Sequence, residues 1–249
     1  MQRAWSSSGS RVERIDRVLV DELGPDVLVT GQEAHHLRDV LRVVAGDTVE
    51  AFDGNGLQAR GVVVGVDRDG VTLELGEPTR STAEAPLAVT LAVALLKGDK
   101  LTDVVRPATE IGVVAFRLFV STNCEARDLS PVRLERLRRV AQEAARQSGR
   151  AVVPSVSEPV PFADLVLDDA VLIGDPAATT TLAAVTGTQA WRGLAAVSVV
   201  TGPEGGLTDA EVAVLVDAGA HAVTLGPRVL RADTAPVALA ATLLLQGGA

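Results

Sequence analysis

Tyrosine is absent from this chain of 249 residues, and aromatic character is confined to four phenylalanines and two tryptophans. A platform on which successive nucleic-acid bases stack is therefore excluded, so any nucleic-acid partner has to be read by arginine, histidine and main chain. Cysteine occurs once, at Cys124, and histidine three times, at His35, His36 and His221. That excludes an internal disulfide and leaves too few ligands for a closed zinc site, so no metal is expected and a reducing cytoplasm fits. No apolar run reaches the roughly 18 residues of a membrane span, so no membrane partner is expected. The opening MQRAWSSSGS lacks the apolar core of a signal peptide and reads as a disordered tail. Basic residues are outnumbered, 23 against 32 acidic ones, and the net charge of −9 excludes a protein that coats DNA by general attraction.

What is present is an ordinary globular composition, 47% hydrophobic and 22% charged, in a chain long enough to bury roughly 70–75% of its unfolded surface. Charge is unevenly spread. Residues 1–80 carry a net −5, residues 81–150 a net +3 and residues 151–249 a net −7.

Residues 17–77 read as short strands, RVLV, DVLVT, DTVEAF, LQARGVVVGV and VTLEL, separated by the turn signals Asp53-Gly54-Asn55-Gly56 and Asp67-Arg68-Asp69-Gly70. This predicts a small hairpin-rich barrel. Within it, Ala34, Leu37, Val40 and Leu41 recur at helical spacing, predicting a short amphipathic helix with His36 and Arg38 on its other face. The small, polar stretch Glu77–Pro86 reads as a linker.

Beyond it, strands alternate with helices: LAVTLAVALL (87–96), AFRLFVS, AVLIG (170–174), LAAVSVVT (194–201) and HAVTL (221–225), the α/β pattern of a largely parallel sheet. Helices are predicted from about Asp99 and from Ser130-Pro131 to Gly149. Seven arginines lie within 127–150, against Glu125, Asp128, Glu135 and Glu143. They form either a local phosphate-binding face or a solvated helix face laced with ion pairs.

Two late loops carry most of the chemistry. A strand ends at Thr201, Gly202-Pro203-Glu204-Gly205-Gly206 turns tightly, and Thr208 with Glu211 forms a capping box for the next helix. Such a loop exposes main-chain N–H groups to a ligand; it is neither a Walker loop nor a dinucleotide fingerprint. In LGPRVLRADTAPVALAATLLL a strand ends at Leu225, a loop carries Arg228 and Arg231, and Asp233 or Thr234 caps a nearly all-apolar helix that has to be buried. Two arginines directly after a strand end sit where open α/β sheets bind ligands; otherwise they make salt bridges to nearby acids.

Taken together, TGPEGG (201–206), LGPRVLRADTA (225–235), EAARQSGR (143–150), ATEIG (108–112), EAHHLRDVLR (33–42) and FDG (52–54) resemble the bacterial 16S ribosomal RNA (uracil-N3)-methyltransferases, the E-type small-subunit family of the SPOUT superfamily. The resemblance spans about residues 14–246. It implies an α/β fold: a C-terminal SPOUT-type domain with a deep trefoil knot, over 87–249, and an N-terminal PUA-like β-barrel RNA-binding domain over 14–78. A tail (1–13) and a linker (79–86) complete the division. The implied activity is S-adenosylmethionine-dependent methylation of uridine N3 at position 1498 of 16S ribosomal RNA in the usual numbering, by a homodimer acting on the small ribosomal subunit.

Carried over, Gly174, Thr201, Gly202, Glu204, Gly205, Leu225, Gly226, Leu230, Thr234 and Ala235 would hold the cofactor. Arg231, Arg228 and Asp233 would act in catalysis. RNA contacts fall to Arg14, Arg17, His36, Arg38, Lys97, Lys100, Arg127, Arg146 and Arg150. Three positions depart from the family pattern: Arg14-Ile15-Asp16-Arg17-Val18 replaces an Arg-Phe-Phe-like opening, Arg231-Ala232-Asp233-Thr234 replaces Arg-Thr-Glu-Thr, and Pro107 falls inside a predicted helix. Alternative readings are a related knotted enzyme acting on ribose 2′-hydroxyl or transfer RNA, and a non-catalytic RNA-binding assembly factor.

Overall fold

The computed structural model describes residues 15–167, 170–191 and 193–246, with the side chain of Gln246 left aside. The chain divides into two compact units, one formed by residues up to Asp53 together with Gln58–Thr79, the other by Gly54–Leu57 together with residues from Arg80 onward.

The first unit carries β1 (Asp16–Leu19), β2 (Asp26–Val29), α1 (Gly31–His35), β3 (Thr48–Phe52), β4 (Leu57–Val66) and β5 (Val71–Leu75), with β6 (Thr79–Arg80) beside β4. Sheet order is β1-β3-β4-β5-β2, with β1 parallel to β3 and the other neighbours antiparallel. Among the described residues β1 and β2 end the path unpaired with one another, so an open sheet stands where the strand pattern predicts a closed barrel. The amphipathic helix also differs. After α1 the backbone widens into a π-turn over His36–Leu41 that ends at Arg42 in the left-handed region, φ 59°. The wider turn shifts the facing positions, so Ala34 and Leu37 are buried while Val40 is 60% exposed.

In the second unit, β7 (Ala88–Ala94), β8 (Ala115–Val120), β9 (Ser155–Val156), β10 (Val160–Pro161), β11 (Val171–Gly174), β12 (Ala196–Thr201) and β13 (His221–Val223) form a parallel sheet ordered β10-β8-β7-β12-β11-β13, with β9 also on β8. Their apolar runs are buried on both sides, as a parallel sheet requires, under α2 (Lys100–Glu110), α3 (Pro131–Ser148), α4 (Leu182–Thr186), α5 (Asp209–Asp217) and α6 (Ala235–Gln246). Ser130 caps α3 through the Arg133 N–H, Pro131 opens it and Gly149 closes it at φ 81°. Pro107 lies inside α2, where it cannot donate to the preceding turn. The apolar α6 buries Leu239, Ala240, Leu243 and Leu244.

Residues 80–86, expected as linker, belong to the second unit. Glu84 there accepts from the Arg150 guanidinium at 2.7 and 3.0 Å and from the Ala151 and Val152 N–H groups. Phe116 and Phe119 are core, Phe162 packs on Phe119 at 6.0 Å, Trp191 lies edge-on to His221, and Phe52 is buried in the first unit.

Candidate cofactor and catalytic site

Three parallel strands finish side by side: Gly174 at the end of β11 is in register with Thr201 on one side and Val223 on the other. The loops leaving these ends enclose a cavity of about 410 Å³ lined by Gly174, Asp175, the whole of Thr201–Gly206, Leu230 and Ala235. A smaller lobe of about 50 Å³ shares Gly174, Asp175, Leu230 and Ala235 and adds Leu225 and Arg228. This is the carboxyl edge of an open α/β sheet, the place such folds use for ligands.

The glycines are there because the chain packs on itself. A Cβ on Gly202 would lie 2.6 Å from the Leu207 nitrogen, and one on Gly174 would lie 2.6 Å from a Leu239 methyl. The Gly202–Gly206 turn is held from three directions. Asn123, in the loop after β8, donates its amide to the carbonyls of Gly205 and Gly206 at 3.2 and 3.1 Å. Glu204 accepts from Lys100 Nζ at 2.6 Å and from the Lys97 N–H at 3.2 Å. Burial pushes the Glu204 carboxyl up, but Lys100 and the main-chain donors outweigh it and hold the group below the usual range.

On the third side the predicted capping box is complete, with Thr208 and Glu211 exchanging bonds at the start of α5. Glu211 reaches further: its other oxygen accepts from the Thr122 N–H at 2.8 Å and hydroxyl at 3.1 Å, tying α5 to the loop after β8. Burial raises this carboxyl, yet its four bonds to Thr208 and Thr122 bring it below the usual range.

In the second loop, the Thr224 hydroxyl closes a tight turn with the Gly226 N–H and carbonyl. The Arg231 carbonyl accepts from the N–H groups of Thr234 and Ala235, and the Thr234 carbonyl begins the α6 ladder with Ala238. Arg231 is 76% exposed and 3.6 Å from Asp233, which is 16% exposed. Of the residues expected at the cofactor, Gly174, Thr201, Gly202, Glu204, Gly205, Leu230 and Ala235 line the larger cavity and Leu225 the smaller. Gly226 and Thr234 line neither; they shape the loop behind. Of the catalytic set, Arg228 borders the smaller lobe, whereas Arg231 and Asp233 sit on the same loop outside it.

The residues expected on RNA are scattered. Arg14 lies outside the described residues. Two others are corrected. Arg17 is buried over the Phe52 ring, ion-paired to Glu50 at 2.8 Å and bonded to Gln58. Arg150 is 2% exposed, spent on Glu84 and on the carbonyls of Thr109 and Val113. Both guanidiniums are engaged by protein partners. Lys100 braces the glycine turn and Lys97 pairs with Glu125. Exposed Arg127 donates to the carbonyls of Ser121 and Thr122, Arg38 to Asp39 and the Asp67 carbonyl, and His36 and Arg146 are half-buried. Three residues escaped sequence reasoning. Asn123 and Thr122 gave no signal of their own, while the Asp175-Pro176 turn directly after a strand end did.

Comparison with known proteins gives this arrangement a class. Residues 83–244 match the RNA methyltransferase domain family and residues 29–76 the RNA methyltransferase PUA domain family. The second unit is thus an RNA methyltransferase domain. The ribosomal RNA small subunit methyltransferases E of Synechocystis and of Bacillus subtilis are 35% and 33% identical over 86% and 87% of this chain, and 71% and 88% of their own. The chain belongs to the ribosomal RNA small subunit methyltransferase E family. The crystal structure of the Neisseria gonorrhoeae member, bound to S-adenosylmethionine, superposes with a TM-score of 0.84 at 28% identity, over 94% of this chain and 98% of that one.

The residues present fit that cofactor. Thr201 Oγ1 is buried at the cavity wall with no hydrogen-bond partner, and a wall of glycines leaves main-chain groups open to an adenosine and an amino-acid moiety. Val212, Val229 and Leu230 supply apolar surface for a purine without an aromatic side chain.

Proposed function

We propose that this protein transfers a methyl group from S-adenosylmethionine to N3 of a uridine in 16S ribosomal RNA, position 1498 in the usual numbering, giving 3-methyluridine. The observation that carries this reading is the cavity at the ends of β11, β12 and β13, with the unpartnered Thr201 hydroxyl in its wall and Arg228 on the adjoining lobe. When bound, the cofactor supplies an electrophilic methyl carbon. The chain supplies everything else. Main-chain groups of Thr201, Gly202, Gly205, Leu225 and Leu230 orient the ligand, with Gly226 shaping the loop behind them, so that alignment provides most of the rate. Uridine N3 has to lose its proton. A guanidinium beside the uracil oxygens favours the resulting anion, and Arg228 and Arg231 are the two on the right loop. Asp233, 16% exposed and beside Arg231, takes the proton directly or through water.

The same reading includes a PUA-like RNA-binding unit over 14–78 and a knotted methyltransferase domain over 87–249, with the C-terminal segment threaded, a rare exception to chain-crossing rules. It also includes a homodimer, the small ribosomal subunit as target and a cytoplasmic location. Among the described residues no helix is long and apolar enough to cross a membrane. The test is methyl transfer to small ribosomal subunits and to free 16S RNA, followed by nucleoside mass spectrometry. 3-Methyluridine is the expected product. A 2′-O-methylated nucleoside, or label appearing only in transfer RNA, would overturn the assignment.

A further inference from the structure

The larger cavity is lined by three carboxylates, Asp175, Glu204 and Asp209, and by no lysine, arginine or histidine. The three are not equivalent. Glu204 is neutralised by Lys100 at 2.6 Å. Asp209 is exposed to water in the first turn of α5, where the helix N-terminus offsets its charge. Asp175 is half-buried and makes no ion pair among the described residues, although Arg228 borders the smaller lobe that Asp175 also lines. It is also held still: its N–H donates to the Val223 carbonyl, its carbonyl accepts from Ala178, and its Oδ1 accepts from the Ala177 N–H at 2.8 Å. Oδ2 has no hydrogen-bond partner among the described residues. The residue borders both lobes and follows Gly174, whose register partner is Thr201 with its own unpartnered buried hydroxyl. Two residues that line the same cavity therefore carry a polar atom with no hydrogen-bond partner among the described residues, one of them charged.

We infer that Asp175 reads the charge of the bound adenosyl ligand: its fixed carboxylate favours a net-cationic sulfonium over the neutral thioether that remains once the methyl group has left. The inference rests on the cofactor reading above. S-adenosylmethionine and S-adenosylhomocysteine share the adenosine, the ammonium and the carboxylate and differ by one methyl group and one positive charge. A charge fixed at the wall of a partly desolvated cavity acts over several ångströms, so it separates the two without touching the sulfur. Its consequence is a site that loosens its grip on the product as the reaction proceeds.

Calorimetry on the full chain tests this with S-adenosylmethionine, S-adenosylhomocysteine and sinefungin, in which an amine-bearing carbon replaces the sulfonium. Asp175→Asn keeps the acceptor for Ala177 and removes only the charge; Asp175→Ser is a second neutral variant, and thermal unfolding reports on folding. Both variants are expected to lose about tenfold more affinity for the two cationic ligands than for S-adenosylhomocysteine, a Coulomb effect at the effective dielectric of partly buried sites. Equal losses for all three ligands, or an unchanged ratio in the folded variant, would overturn the role of Asp175. Failure of the wild-type protein to bind any of them would instead overturn the cofactor reading itself.

Discussion

Arg231 and Arg228 stand five and two residues beyond the last sheet strand's loop turn at Gly226, yet they differ in position, since only Arg228 borders a lobe of the cavity. An exposed guanidinium on a loop is available to a substrate, not to the cofactor. Arg231→Ala is accordingly expected to abolish uridine methylation while leaving S-adenosylmethionine affinity within a few fold by calorimetry; retained turnover removes Arg231 from the mechanism. Gly202→Ala acts in the opposite sense. Its Cβ meets the Leu207 nitrogen at 2.6 Å, so the turn has to open, and cofactor affinity is expected to fall roughly tenfold or more, with about 1–3 kcal/mol lost in stability. Arg150 belongs to a third kind. Removing it strands Glu84, and Arg150→Ala should cost about 3–5 kcal/mol in denaturant unfolding.

The Glu211 carboxylate shows how a local sequence rule carries long-range structure. Thr208 and Glu211 announce a helix start, but nothing in their spacing announces that Thr122, in the loop after β8, completes the set of donors to the carboxylate. Because the folded protein holds this carboxyl below its unfolded value, the stabilisation is present above the ordinary glutamate range and is lost as pH falls through the folded value. Thermal melts should therefore show a steeper acid-side fall in the wild type than in Glu211→Gln; identical slopes would sink the argument. The same contrast explains what was legible. Strands, helix caps and both ligand loops follow from periodicity, glycine and capping residues, which are local. The burial of Arg17 and Arg150 and the bracing by Asn123 depend on partners tens of residues away, which periodicity does not encode. Arginine counts on α3 mislead for that reason. Arg133 donates to the Gly98 carbonyl, Arg136 pairs with Asp99 and Arg138 with Glu135, so much of the apparent phosphate-binding face is internally engaged.

A net charge of −9 and an RNA substrate are compatible if few cations do the binding. RNA affinity should fall with salt at a slope set by how many cations engage phosphate, and replacing a surface cation such as Arg38 or Lys97 by alanine should lower the slope of log K against log salt by about one. Replacing Arg17 or Arg150 should weaken stability and leave that slope alone; a reduced slope for either would reinstate it as an RNA contact.

The order of the parallel sheet has a consequence for how the protein is made. β12 lies between β7, the first strand of its unit, and β11, and α6 at the far end of the chain covers β7, β11 and β12. The strand translated first in this unit therefore waits for a helix translated about 140 residues later. A nascent chain arrested on the ribosome before Ala235 has emerged would expose the apolar faces of its central strands, so this unit cannot complete folding until α6 is out and depends until then on whatever shields it.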